Sequence, residues 1–249
     1  ASLPAGHTRR SRPALVCSDR FGDKLPDITK RRRSARHVEL REEVARTNYP
    51  RLRETDYSGR PLPCFGEPAA RLLVLGLAPA AHGANRSGRV FTGDNPGGSG
   101  ELLYEALHRA GYSARPRSVG PADDLRLDDC YVAAVNRCAP PANRPTTTER
   151  DACLPFLVRE LRLLRSARVI LALGGYAWHA AVRVLAGEGH RVRPKPRFGH
   201  GAEAGVGPYT LLGCYHPSQQ NTFTGRLTMA MLDDVLARAR ALSEGPAPE

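Results

Sequence analysis

Arg71-Leu-Leu-Val-Leu-Gly76 is a continuous apolar run closed by a glycine. A strand with one face in water alternates apolar and polar side chains, whereas an unbroken run reads as a strand covered on both faces of a parallel sheet. Three comparable runs follow: Tyr131-Val-Ala-Ala-Val135, Val169-Ile-Leu-Ala-Leu173 and Tyr209-Thr-Leu-Leu-Gly-Cys-Tyr215. Enough chain for a helix separates each pair, and helical apolar patterns lie over 101–110, 147–164, 176–186 and 224–242. This alternation predicts a doubly wound α/β fold with helices on both faces of a parallel sheet. In such sheets the ligand crevice lies beyond the carboxyl ends of the strands. The residues just after Leu75, Val135, Leu173 and Tyr215 are therefore expected to line any site.

Composition narrows the partner. The 249 residues suffice for one core, and 37 Lys and Arg against 25 Asp and Glu leave a net charge of +12. A surface of that sign favours a polyanion, nucleic acid first, over acidic or neutral small molecules. No stretch is apolar enough to span a bilayer, and the first residues lack the order of a secretory leader, so a cytoplasmic monomer is expected. Six cysteines at irregular spacing point to buried thiols or metal ligands rather than a disulfide framework. Residues 1–30 mix Pro, Ser, Gly and Arg without an apolar period and run into Lys30-Arg31-Arg32-Arg33, which reads as a flexible basic extension. Residues 31–243 form the expected domain, with Leu40 and Val44 on one face of a short first helix, and 244–249 a tail.

Three polar loops follow the strands. The first, Gly76 to Asp94, carries four glycines, so its backbone can approach a ligand closely. It contains neither G-x-G-x-x-G nor the G-x-x-x-x-G-K-[ST] of a P-loop, which removes the usual nucleotide-phosphate readings. The second, Asn136-Arg-Cys-Ala-Pro-Pro-Ala-Asn143-Arg-Pro, is stiffened by proline and would hold an amide in place. The third, His216-Pro-Ser-Gln-Gln-Asn-Thr-Phe-Thr-Gly-Arg226, starts with an imidazole at a strand end. No nucleophile elbow G-x-S-x-G is present, which disfavours a small-molecule hydrolase on a similar sheet. Cleaving an N-glycosidic bond needs a donor to charge leaving onto the base, and a carboxylate or held water near the sugar. His216 is the candidate donor and Asp94 the candidate carboxylate.

These three segments resemble the motifs of family 5 uracil-DNA glycosylases nearly end to end, and the likeness covers about residues 31–243. It implies a three-layer α/β/α fold on a four-stranded parallel sheet, with damaged DNA lying across the strand ends. The implied activity is excision of uracil, and of other deaminated bases such as hypoxanthine, after the base is flipped out. Ala80 stands where relatives outside the family carry an acidic or amide side chain. By the same match Phe91 would stack on the base, Asn143 would pair with its Watson–Crick edge, and Gly76 and Ala78 would lie against it. Gln219, Asn221 and Phe223 would press on the DNA where the base left, with Arg86 and Arg226 near phosphates.

The resemblance also implies a [4Fe–4S] cluster on four cysteines. Cys138 and Cys153 match one pair, but Arg31 and Ser34 stand at the other two positions, so a chain without a complete cluster is expected. The rival reading is a catalytically weak or inactive DNA-binding relative of the same superfamily.

Overall fold

The computed structural model describes residues 61–81, 83–92 and 98–245. The strands are β1 (Phe65–Gly66), β2 (Leu72–Gly76), β3 (Cys130–Ala134), β4 (Val169–Leu173), β5 (Glu203–Val206) and β6 (Tyr209–Cys214). The helices are α1 (Ala84–Ser87), α2 (Ser99–Arg109), α3 (Thr147–Leu163), α4 (Gly175–Gly187), α5 (Gln219–Phe223) and α6 (Met229–Glu244), with a 3-10 turn at Pro141–Asn143. They build one sheet in the order β1-β3-β2-β4-β6-β5. The expected basic extension and the short helix near Leu40 lie outside the described residues.

The four expected strands are the four at the centre, all parallel: Val74 pairs with Val132 and Leu171, and Leu171 with Leu212. The sheet is nevertheless six-stranded and mixed, because β1 joins β3 and β5 joins β6 antiparallel. A search for continuous apolar runs passes over both edges. β1 is two residues long, and β5 buries only Val206 fully while Glu203 and Gly205 face water. Short, partly solvated strands are how sheet edges are kept from pairing with other chains.

Alternate residues of each central strand serve opposite layers. Leu73, Leu75, Tyr131, Ala133, Ile170 and Leu211 pack under α3 and α4 with Leu157, Leu161, Trp178 and Leu185. Leu72, Val74, Val132, Leu171 and Leu212 pack under α2 and α6 with Leu103, Leu107, Leu232 and Leu236. Each such side chain contributes about 1.5–3 kcal/mol by leaving water. The three-layer arrangement thus follows from the apolar runs.

Helix starts are set by side-chain caps. Thr146 Oγ1 accepts from the Glu149 amide at 3.2 Å while the Glu149 carboxylate accepts from the Thr146 amide at 2.7 Å, a reciprocal capping box that starts α3. The last helix begins later than the expected 224, because the chain turns at Gly225 and Thr228 Oγ1 accepts from the Met231 amide at 3.2 Å.

Candidate active site

The central strands stop at one rim, and the residues that follow them stay knitted together. Val135 N donates to Gly76 O at 3.0 Å, Asn136 N to Leu77 O at 2.9 Å, and Gly174 N to Cys214 O at 2.8 Å. Gly76, Asn136, Gly174 and His216 are therefore neighbours in space, as the parallel topology requires. Gly174 has φ of 94°, in the region where a Cβ is costly.

The loop after β2 brings Phe91 back to this rim. Its φ is 54°, unfavourable for an aromatic residue, and the surrounding contacts hold it there. The Val90 carbonyl accepts from the Tyr104 hydroxyl at 3.0 Å, and Thr92 Oγ1 donates to the Arg89 carbonyl at 2.6 Å. The ring of Phe91 lies over Gly76 so closely that a Cβ there would come within 2.4 Å of it, which explains a glycine at the end of β2. The same ring stacks with His216, with centroids 6.0 Å apart and planes 28° apart.

His216 is fixed through its backbone. Its carbonyl accepts from Ser218 N at 2.7 Å and from Asn221 Nδ2 at 2.8 Å, so α5 is tied to the histidine. The crowded surroundings disfavour the charged imidazolium and pull the pKa down to about 4. At neutral pH the side chain is an uncharged imidazole with one N–H to donate. A second histidine, His200, accepts from Tyr215 N at 3.3 Å and sits against the Tyr215 ring, a structural role.

Two amides flank the rim in different states. Asn143 is exposed on the 3-10 turn with φ of 53°. Asn136 is buried, and its Oδ1 accepts from the Tyr176 hydroxyl at 2.7 Å. No motif in the sequence marks Asn136 or Tyr176 as a site residue, although both directly follow a strand end, where the topology points. Phe223 ends α5 with 79 % of its surface exposed, and the Arg226 guanidinium lies over the Tyr215 ring at 4.6 Å. Gln219 is exposed on α5, Arg86 is half-buried on α1, and Ala78 is half-buried just past β2. Asp94 lies outside the described residues.

Behind the rim sit two buried arginines that no sequence pattern distinguishes from the many others. Arg89 pairs with Asp123 and donates to Ser118 Oγ at 2.9 Å. Arg137 pairs with Glu160 and lies against the Cys64 thiol.

The four positions that the resemblance assigns to a [4Fe–4S] cluster carry two thiols, a guanidinium and a hydroxyl, a donor set unlike the four thiolates such a cluster takes. Cys138 and Cys153 are half-buried and take part in no disulfide, and Arg31 and Ser34 lie outside the described residues. Among the described residues no group of three or more His, Cys, Asp or Glu is arranged to hold a metal ion. Nor, among them, is any helix long and apolar enough to cross a membrane.

Comparison with known proteins agrees with this architecture. The family described as the uracil DNA glycosylase superfamily matches residues 63–240. A type-5 uracil-DNA glycosylase of Mycobacterium tuberculosis is 54% identical over 211 residues, 84% of this chain and 76% of its own length. The type-5 enzyme of Thermus thermophilus is 48% identical over 217 residues, 87% and 95% of the two chains. A type-4 uracil-DNA glycosylase of Pyrobaculum aerophilum shares 31% over 164 residues, 65% of this chain and 74% of its own length. With the family match spanning most of the fold and identities near one half over most of both chains, this protein belongs to the uracil DNA glycosylase superfamily, on its type-5 branch.

Proposed function

We propose that the protein flips uracil out of DNA and hydrolyses its glycosidic bond, the opening step of base-excision repair. The observation that carries this reading is the Phe91 ring, set over Gly76 at the strand-end rim and stacked with His216. An extruded base needs an aromatic face to stack on and a donor at the oxygen that gains charge as the bond breaks. Phe91 supplies the face and His216 the donor. Because desolvation keeps the imidazole neutral above about pH 4, the N–H is present throughout the neutral range without a protonation step. Asp94, three positions beyond Phe91 in the chain, is assigned the carboxylate beside the sugar, orienting water or offsetting oxocarbenium charge.

The base edge is assigned first to Asn136, since Tyr176 already orients its amide, and preorganisation lowers the cost of binding. Asn143, on the exposed turn, takes the base or its neighbours once DNA is in place. Gly76 and Ala78 let the backbone approach the base. Ala80 offers no polar group to reject a purine, which favours hypoxanthine as a second substrate. Phe223 is suited to wedge into the gap in the helix, with Arg226, Arg86 and Gln219 on the backbone. Asn221 acts on the inside, pinning that wedge to His216.

The test is an incision assay on duplexes bearing uracil, hypoxanthine or no lesion, followed by alkali. Uracil is expected to be released and undamaged DNA left intact. His216→Ala is expected to lower single-turnover cleavage by roughly 100-fold or more, the scale of losing one transition-state donor, while DNA affinity changes little. Equal losses in cleavage and binding would make the imidazole a structural group. No release from any lesion would leave a DNA-binding protein without the reaction.

A further inference from the structure

Beside the rim, on the far side of Tyr176, a cleft of about 380 Å³ opens between α3 and α4. Among the described residues its walls are Arg150 from the first turn of α3, Tyr176, His179, Ala180 and Arg183 from α4, and Lys195 from the following loop. The four α4 residues are spaced so that they share one face of the helix, which runs away from the strand ends. None of the six lining side chains is acidic. The neighbouring carboxylate, Asp151, accepts from Arg150 Nε at 2.8 Å and stands 3.7 Å from Arg183 Nη2, so it brackets these two cations from the side.

We propose that this cleft is a phosphate subsite for the DNA strand carrying the lesion, a proposal that rests on the glycosylase reading. The argument is one of position and charge. Tyr176 is a wall of the cleft and also donates to Asn136 at the rim, so a backbone group held here lies next to the base recess. Arg150, Arg183 and Lys195 bring three positive charges, and Asp151, which pairs with the first two, offsets one of them, so among the described residues the excess is positive and favours an anion; the volume admits a phosphodiester with part of its sugar. An Arg at a phosphate gives a directed, paired contact, while a Lys adds a point charge. Clamping the backbone beside the extruded nucleotide would hold that nucleotide out of the stack, since phosphate contacts fix register and orientation without reading sequence.

The experiment uses the full chain and a duplex with a non-cleavable abasic analogue. Arg183→Ala/Lys195→Ala is compared with Arg126→Ala/Arg165→Ala, a charge-matched pair of exposed arginines preceding β3 and β4 at the opposite rim. The cleft variant is expected to reduce the slope of log affinity against log salt by about one to two, and the control to leave it near the wild-type value. Single uncharged methylphosphonate linkages are then placed in turn on each side of the lesion. One position should weaken wild-type binding yet make no difference to the cleft variant. If the two variants behave alike, or the losses add at every linkage, the subsite is wrong. Uracil excision by the wild-type protein in the same preparation keeps the two ideas apart: its failure sinks the proposed activity, whereas additive losses with excision intact sink the cleft alone.

Discussion

Arg89 and Arg137 are both buried, both paired with a carboxylate, and each lies within two positions of a residue at the rim, Phe91 in one case and Asn136 in the other. Their surroundings differ. Asp123, the partner of Arg89, also accepts from Val119 N at 2.8 Å, Gly120 N at 3.2 Å, Leu125 N at 3.1 Å and Ser118 Oγ at 3.1 Å. Burial works against its charge, yet the Val119 and Gly120 amides and then Arg89 outweigh it, so the carboxyl sits below its ordinary pKa. Among the described residues Glu160, the partner of Arg137, receives only the Tyr131 hydroxyl at 3.3 Å besides the guanidinium, and the Nε of Arg137 has no acceptor there. There burial prevails over Arg137 and Tyr131, and the carboxyl is pushed up. The difference teaches that the comfort of a buried ion pair depends on the dipoles gathered round the carboxylate more than on the pair itself.

The sharpest way to break this comparison is to remove each arginine. Arg137→Met leaves Glu160 nearly alone in the core and is expected to cost about 3–5 kcal/mol, read from denaturant titration. Arg89→Met leaves Asp123 with its three amides and a hydroxyl, so a loss of about 1–3 kcal/mol is expected. An equal or reversed ranking would show that the surrounding donors do not decide the matter. Arg89→Met should also slow base release more than its stability loss explains, since Arg89 is two residues from Phe91 and braces the turn that holds the ring over Gly76.

A smaller effect separates the two carboxyls by sign. A lowered folded-state pKa, as at Asp123, gives stability that is present above the unfolded value of 3.8 and lost as pH falls through the folded one. A raised one, as at Glu160, favours the folded state most when protonated, and the advantage fades as pH rises from 4.5 toward the folded value. Relative to the wild type, Asp123→Asn should therefore look worse as pH rises from 3 toward 7, and Glu160→Gln should look better. Stability curves of the two variants that run in parallel with pH would contradict the assignment of opposite shifts.

Such pairs are invisible in the sequence for a physical reason. Arg89 and Asp123 are 34 positions apart and Arg137 and Glu160 are 23 apart, and a charged residue carries no periodicity that names its partner. The layers, by contrast, are legible wherever burial is complete: β2, β3, β4 and β6 read as unbroken apolar runs because both faces are covered. β5 alternates and β1 is too short, so neither stands out. At the site, Gly76, Phe91 and His216 do converge as the strand-end rule and the motif likeness require. Asn136 and Tyr176 obey the same rule, yet in the sequence one reads as part of a stiff loop and the other as the start of a helix. What a linear pattern does not carry is which of two amides the fold buries.

That last distinction sets up the mildest test. Tyr176 links the α4 side of the rim to the β3 side through a single bond to Asn136 Oδ1, without any charge. Burial pushes the phenol pKa to about 12, so the hydroxyl stays a donor across the neutral and alkaline range and should add no alkaline limb to the rate profile. Tyr176→Phe removes one neutral hydrogen bond and is expected to cost only about 0.5–1.5 kcal/mol of stability. Its effect on uracil release should come through the amide it orients, lowering kcat several-fold while KM barely moves. A double-mutant cycle with Asn136→Ala decides the point, because residues that act through one another give non-additive losses. If Tyr176→Phe slows the Asn136→Ala enzyme as much as it slows the wild type, the hydroxyl acts elsewhere, and the buried amide has lost its claim to be oriented before DNA arrives.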